Sequence, residues 1–180
     1  MTVHYLKRGK PDAERAEDDA KTKAIVENTL KQIEDFGDAA LRSLSEKFDS
    51  YSPSSFRLSE NEIAVLIASL TDRELADINF AQQQVRNFAQ AQRDSMLDIE
   101  IETMPGVILG HKNIPVQSVG CYVPGGKFPM VASAHMSVAT ASVAGVPRIV
   151  ACTPPFNGKP NAAVIAAMHL GGAHEIFVMG

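Results

Sequence analysis

The sequence is poor in cysteine, has no long apolar run and carries no excess of positive charge. Its two cysteines, Cys121 and Cys152, each lie in an apolar strand-like run without a Cys-x-x-Cys pair, so we interpret them as buried thiols rather than a disulfide or a metal site. A net charge of -4 gives no basis for a basic, nucleic-acid-binding face. No stretch approaches the roughly 18 consecutive apolar residues of a membrane span. We therefore expect neither nucleic acid nor a membrane as a partner.

The amino terminus also lacks a targeting segment. Residues 1–19 contain no apolar stretch followed by a small-residue cleavage site, so no secretory signal is predicted and we expect a cytoplasmic protein. What the chain does contain is enough apolar material for a core, since 45% of its 180 residues are hydrophobic. This length fits one domain, or one domain with a helical extension.

Helical patterns fill the first part of the chain, residues 1–97. An apolar face with spacings of three and four predicts a first helix that ends at Gly37, and its members are Ile25, Val26, Leu30, Ile33 and Phe36. The segment DAALRSLSEKFD repeats this pattern. Ser59 with Glu62, and Thr71 with Glu74, have the spacing of capping boxes, in which hydroxyl and carboxylate satisfy the free backbone groups of the first turn. We predict a helical region of about four helices.

Residues 98–180 predict an α/β arrangement. The alternating segment DIEIET indicates a half-exposed strand, and GVILGHKNIPVQ continues as a strand after a Met-Pro-Gly turn. Apolar runs at 118–123, 148–153 and 175–179 alternate with helical patterns at 131–145 and 160–171. Strands that alternate with helices are typical of a parallel, doubly wound sheet, whose ligands bind beyond the carboxyl ends of the strands. The predicted fold class is therefore α/β, with an N-terminal helical segment.

A Pro-Gly-Gly turn follows the first of these three strands. Gly125 and Gly126 allow positive φ angles and a close approach of the backbone to a ligand, and the following helix would present free N–H groups to an anion. The turn is neither a Gly-x-Gly-x-x-Gly nor a Walker motif. Its spacing fits both a structural turn and a ligand-binding loop.

Three segments resemble the histidinol dehydrogenase family. The longest is GCYVPGGKFPMVASAHMSVATASVAGVPRIVACTPP, and FGDAALRSLSEKFD and GGAHEIFVMG extend the similarity over essentially all 180 residues. Members of this family are zinc- and NAD-dependent oxidoreductases that convert a primary alcohol through an aldehyde to a carboxylate. The resemblance implies an incomplete Rossmann-like sheet, with 98–180 as the first part of the NAD-binding domain, and a homodimer.

Within the family, one branch is most similar. The segment GHKNIPVQSVGCYVPGGKFPMVASAHMS looks like the enzymes that oxidise (R)-2,3-dihydroxypropane-1-sulfonate to sulfolactate, and His135 stands where ordinary members tend to have an aliphatic residue. Two alternatives remain open. One is oxidation of L-histidinol to L-histidine. The other is a stand-alone binding or assembly module without chemistry.

The resemblance also implies cofactor-binding residues. Tyr122 matches the family tyrosine that contacts NAD, and Pro124 lies in the same contact region, followed by Gly125 and Gly126. An aromatic ring with a hydroxyl and a turn with backbone donors suit a dinucleotide. The structural alternative for Tyr122 is packing on the next helix. Lys127 either approaches a phosphate or sulfonate or is a solvated loop residue.

Three residues on the predicted helix after the turn are candidates for substrate binding. His135 follows the glycine turn, and an imidazole at this edge could hydrogen-bond an anionic substrate group, as could the hydroxyls of Ser133 and Ser137. The alternative for His135 is a helix-face histidine that its neighbours satisfy.

Residues for catalysis and metal binding are not predicted in this chain. By resemblance, the zinc ligands and the proton-transfer pair of the family match positions beyond Gly180. We therefore expect an N-terminal portion that is cut within its α/β domain and is inactive alone. The other histidines are scattered without metal-site spacing, and His169 and His174 are interpreted as capping or surface residues; the remaining two are His4 and His111.

Overall fold

The computed structural model describes residues 5–7 and 9–180, so His4 lies outside the described residues. The chain divides into two compact units, residues 1–44 and residues 45–180. In the first unit, helix α1 spans Asp12–Phe36. It ends at Gly37, where φ is +55° and the backbone N–H donates to the carbonyl of Ile33 at 2.8 Å. Helix α2 spans Asp38–Asp49 and runs from the first unit into the second.

Two capped helices open the second unit. Helix α3 spans Glu60–Ala68 and helix α4 spans Asp72–Asp94. The Ser59 N–H donates to Glu62 at 2.8 Å and the Ser59 hydroxyl accepts from the Glu62 N–H at 3.3 Å. Thr71 and Glu74 make the same pair of bonds, at 2.8 and 3.2 Å. Both predicted capping boxes are confirmed.

A two-stranded hairpin follows α4. Strand β1 (Ile99–Met104) pairs antiparallel with β2 (Val107–His111), and Gly106 in the turn has φ +81° and donates its N–H to the Glu102 carboxylate at 2.7 Å. All residues of both strands are exposed. The predicted half-exposed strand is therefore a fully exposed one, because no described element packs against the apolar face that carries Ile101 and Leu109.

Three parallel strands form the central sheet. They are β3 (Ser118–Tyr122), β4 (Arg148–Thr153) and β5 (Glu175–Val178), in the order β3-β4-β5. The first crossover is a continuous helix of three parts, α5 (Val131–Ala134), a π-helical turn (His135–Ala139) and α6 (Thr140–Val143), and the second is α7 (Ala162–Gly171). This βαβαβ unit is one half of a Rossmann-like sheet, so the predicted fold class is confirmed.

The core lies between one face of this sheet and the helices. On this face Cys121, Ala151 and Ile176 are in register, and all three are buried. Buried residues of α3 and α4, including Ile63 and Ile78, belong to the same core. The division into domains at 1–97 and 98–180 stays a prediction, and the structure adds that α3 and α4 pack in one core with the strands.

The outer edge of β5 is occupied by the segment that precedes α3. The Leu58 N–H donates to the Ile176 carbonyl at 2.9 Å, and the Val178 N–H donates to the Phe56 carbonyl at 2.8 Å.

None of the helices in the described part of the chain combines the length and apolarity needed to span a bilayer.

Candidate functional site

The carboxyl ends of the three strands lie side by side. The Val123 N–H donates to the Cys152 carbonyl and the Met179 N–H donates to the Thr153 carbonyl, both at 2.8 Å, so the strand pairing continues into the following loops. These loops form one edge, which we call the carboxyl edge: residues 123–130 after β3, residues 154–160 after β4, and Met179 and Gly180 after β5.

Tyr122 is the last residue of β3 and points away from the helix-covered face. Its register partner is Cys152, whereas Cys121, the preceding residue, is buried beneath the helices. The Tyr122 side chain is 54% exposed, so the structure does not bury it against the following helix. Partial burial, and then Cys152 and the Asp49 carboxylate, raise the pKa of the Tyr122 phenol. The hydroxyl is therefore a protonated donor at neutral pH.

The glycine turn is shaped by close packing and by an unusual dihedral angle. A Cβ added at Gly125 would lie 3.1 Å from Cγ of Pro154 and 3.2 Å from Oγ1 of Thr153, so the loop after β3 rests directly on the loop after β4. Gly126 has φ +79°, and the Lys127 N–H donates to the Gly125 carbonyl at 3.0 Å. Close packing therefore explains Gly125 and a positive φ explains Gly126, and both features are compatible with a close approach of a ligand to the backbone.

The two residues that flank these glycines are exposed. Pro124 lies beside Tyr122 at the carboxyl edge, and Lys127 lies on the solvent side of the turn. Lys127 forms no ion pair with any described residue, so both of its predicted roles, a phosphate or sulfonate contact and a solvated loop lysine, stay open.

The predicted substrate residues lie on the helix that follows. His135 is only 4% exposed, and its Nδ1 lies 3.3 Å from Nε2 of Gln82 on α4. Burial lowers the pKa of His135, so the imidazole is neutral, with Nδ1 as the acceptor and Nε2 as the protonated nitrogen. The Ser137 hydroxyl donates to the Ser133 carbonyl at 2.7 Å. The structure gives His135 a place in the core, and substrate binding by the three residues stays a prediction.

A row of polar side chains on α4 was not predicted from the sequence. Gln82 Nε2 also donates to the Ala167 carbonyl at 3.1 Å. Arg86 donates to the carbonyls of Leu170 and Gly171, at 3.2 and 2.7 Å, at the end of α7. Arg93 donates to the Val143 carbonyl at the end of α6. The sequence did contain a signal for these contacts. Gln82, Arg86 and Arg93 lie three or four residues from the buried Ile78 and Ala89 or from each other, so they share the buried face of α4.

Both cysteines are free thiols, as interpreted from the sequence, but only one of the two is fully buried. Cys121 is buried, and this burial raises its pKa although a hydrogen bond with Ser137 opposes the shift. Cys152 is partly buried, and burial followed by the nearby Cys121 raises its pKa. Both are therefore protonated and weakly nucleophilic at neutral pH.

The described residues hold no metal centre. No group of three or more His, Cys, Asp or Glu side chains among them is placed to bind an ion. His174 has a capping role at the start of β4, because its Nδ1 accepts the Ile149 N–H at 2.9 Å. The site that the structure shows is therefore a polar, glycine-containing edge with an exposed tyrosine, at the position where doubly wound folds bind nucleotides.

Comparison with known families shows to which family the chain belongs. Residues 12–180 match the sequence profile described as histidinol dehydrogenase. The chain belongs to the histidinol dehydrogenase family. This confirms the family resemblance.

Several family members are similar along the whole chain. A histidinol dehydrogenase homolog of Shouchella clausii is 53% identical over 178 residues, which are 99% of this chain and 42% of the relative. The sulfopropanediol 3-dehydrogenase of Ruegeria pomeroyi is 41% identical over 100% of this chain and 41% of its own length. The crystal structure of histidinol dehydrogenase from Elizabethkingia anophelis superposes with a TM-score of 0.82 at 27% identity, over 98% of this chain and 38% of that one. The chain thus spans about two fifths of these relatives.

Proposed function

We propose that the carboxyl edge binds NAD, and that the chain is the N-terminal, cofactor-binding portion of a dehydrogenase that oxidises a small polar primary alcohol to a carboxylate. The observation that carries this proposal is the exposed Tyr122 beside the Gly125–Gly126 turn, at the end of the first strand of a βαβαβ unit. Family membership supports the same assignment.

The residues at this edge fit a dinucleotide. The Gly125–Gly126 turn has no side chains that would keep a ligand from the backbone, and it lies against the buried Thr153 and Pro154. Tyr122 offers an open ring face and a hydroxyl donor, and Pro124 is exposed next to it. These groups would bind and orient NAD, whereas bound NAD itself would supply the hydride acceptor.

Zinc does not fit the residues that the structure describes. They contain no ligand cluster, so no reaction step is assigned to a metal here. We propose, from the family, that zinc and its ligands belong to the part of the relatives that this chain does not match. A homodimer and a cytoplasmic location are further proposals that rest on the family alone.

The substrate that we favour is (R)-2,3-dihydroxypropane-1-sulfonate, with sulfolactate as the product. The supporting observation is the 41% identity, over the whole chain, to a protein described as sulfopropanediol 3-dehydrogenase. The second candidate is L-histidinol, which the similarity to the Elizabethkingia anophelis enzyme supports at 27% identity. Ser133, His135 and Ser137 remain proposed substrate residues.

NAD binding is tested with Tyr122→Ala. We expect the dissociation constant for NAD, measured by calorimetric titration of the chain, to rise about tenfold because the ring contact is lost. Phe80→Ala is the matched control, because Phe80 is an aromatic residue of α4 that is also exposed, at 69%. An unchanged constant for Tyr122→Ala would remove this tyrosine from the site.

The substrate is tested in the full polypeptide, where these residues are joined to the portion that the relatives also have. We expect NADH formation with dihydroxypropanesulfonate and none with histidinol. The opposite preference would replace the sulfonate by histidinol. Binding of NAD without turnover of either alcohol would favour the third reading, a binding module without chemistry.

A further inference from the structure

The β1–β2 hairpin exposes an apolar surface on one of its two faces. Side chains alternate between the faces along each strand, and register partners lie on the same face. Glu100 and Glu102 occupy one face. The other face carries Ile101 with its register partner Leu109, and four of its side chains are apolar and 40–56% exposed. We call the surface of these four the hairpin face, and its members are Ile99, Ile101, Val107 and Leu109.

The hairpin is fixed at both ends although nothing described covers this face. At its base, the Asn113 N–H donates to the Asp98 carboxylate at 2.9 Å. At its tip, the Gly106 N–H donates to the Glu102 carboxylate at 2.7 Å. A sheet of only two strands is at best marginally stable in water, and it gains stability when its apolar face packs against another element. Because no described element packs there, the hairpin face is a surface that lacks its partner.

A second copy of the chain is too weak a partner for this face alone. A stable interface between two proteins takes about 20 to 30 residues from each of them. The two strands have six and five residues, and only every second residue lies on the hairpin face. Separate molecules also lose translational and rotational freedom when they associate, whereas a segment of the same polypeptide is already tethered. A small apolar face therefore favours an intramolecular partner.

The relatives have additional chain that can supply this partner. The match to the Elizabethkingia anophelis structure covers 98% of this chain, which is too much to leave out the hairpin, but only 38% of that protein. The Shouchella clausii and Ruegeria pomeroyi relatives are covered to 42% and 41%. About three fifths of each relative therefore lies outside the match.

We propose that the hairpin face is a docking surface inside the full polypeptide, covered by an apolar segment of the portion that this chain does not match. The inference rests on the proposed function in one respect, that the chain is part of a longer dehydrogenase. Residues 112–117 connect the hairpin to the amino end of β3, whereas NAD is proposed at the carboxyl end of this strand. The docking surface thus joins the cofactor-binding unit to the portion proposed to supply zinc.

The test measures thiol labelling in the full polypeptide. Ile101→Cys places a thiol on the hairpin face, and Glu100→Cys, the matched control, places one on the opposite face of the same strand. We expect a maleimide to label Ile101→Cys at least about tenfold more slowly than Glu100→Cys, because a covered side chain reacts only after local opening. In the 180-residue chain alone the two rates should be similar. Leu109→Cys repeats the measurement on β2, and the parent gives the background from its two native cysteines.

Three results would overturn the inference. Equal labelling rates in the full polypeptide would show that the hairpin face stays uncovered. Slow labelling of Ile101→Cys in the 180-residue chain would mean that this chain covers the face by itself. Protection that disappears when the full polypeptide is diluted from dimer to monomer would make a second copy the occupant.

Titration of the full polypeptide with NAD separates this inference from the proposed cofactor site. Protection of the hairpin face without NAD binding would leave the docking surface in place and remove the cofactor site. NAD binding together with equal labelling rates would leave the cofactor site in place and remove the docking surface.

Discussion

Polar side chains have different surroundings in two regions of the unit formed by residues 45–180. One lies between α4 and the helices α6 and α7, and the other lies along the carboxyl edge of the sheet. In the first region Gln82, Arg86 and Arg93 each donate to backbone carbonyls 50 to 85 residues away in sequence. At the carboxyl edge, Asp49 and Lys127 make no ion pair with a described residue and Tyr122 is exposed.

This difference indicates that the polar groups of α4 contribute to folding stability, whereas those at the carboxyl edge are free to bind a ligand. The polar groups of α4 are satisfied within the protein, so their removal should leave buried backbone groups without partners. The groups at the carboxyl edge are available to a ligand, so their removal should change affinity more than folding. Variants in the first region test the structural half of this comparison.

The largest effect is expected for Gln82→Ala. Gln82 is 5% exposed and bridges His135 and the Ala167 carbonyl, so its loss leaves the buried Nδ1 of His135 unpaired and removes one hydrogen bond to the Ala167 carbonyl. We expect the free energy of unfolding to fall by about 3 kcal/mol in urea denaturation. Gln83→Ala is the matched control, because the neighbouring Gln83 is exposed and bonds only Asn87 on the same helix. Equal losses in the two variants would contradict a structural role for the bridge.

A smaller loss is expected for Arg86→Ala. The guanidinium of Arg86 donates to two carbonyls at the end of α7, where a cation also suits the helix dipole. Its removal should lower the free energy of unfolding by about 2 kcal/mol. Arg73→Ala breaks only an exposed ion pair with Asp77 on the same helix, and its effect should be much smaller.

The sequence predicted elements better than the contacts between them. Local signals, such as the hydroxyl of Ser59 three residues before Glu62, act within one turn and predict helix starts directly. The bridge from Gln82 to His135 joins residues 53 positions apart, and a helix-face pattern that counts only apolar residues misses it. Similarly, Tyr122 was assigned through its match to the family tyrosine, whereas the approach of the Asp49 carboxylate to Gly180 comes from the tertiary fold alone.

The glycine turn gives a third, smaller effect on stability. Gly126 has φ +79° with no atom within 4 Å of an added Cβ, so Gly126→Ala is strained only through its backbone. We expect a loss of about 1 kcal/mol. Gly125→Ala has an ordinary φ but meets Pro154 at 3.1 Å, and it should shift the loop and weaken NAD binding with a smaller change in unfolding free energy. If both variants keep the NAD affinity of the parent, the turn is structural and does not contact the cofactor.

The smallest effect is expected from the titration of His135, and it appears only in acid. Burial lowers the pKa of this imidazole, with no charged partner among the causes of the shift, so the unfolded chain binds the proton more tightly than the folded one. The stability that neutral His135 provides is therefore complete above its unfolded pKa, about 6.5, and decreases as the pH falls toward the lower folded value. Urea denaturation at pH 7.5 and at pH 5.5 should show a larger loss in the parent than in His135→Asn, which cannot titrate. His111→Asn is the control, because it removes an exposed histidine that has no part in the Gln82–His135 contact. A loss that is equal in the parent and in His135→Asn would mean that another group governs the acid response, and that the Gln82–His135 pair is not the neutral, buried contact described above.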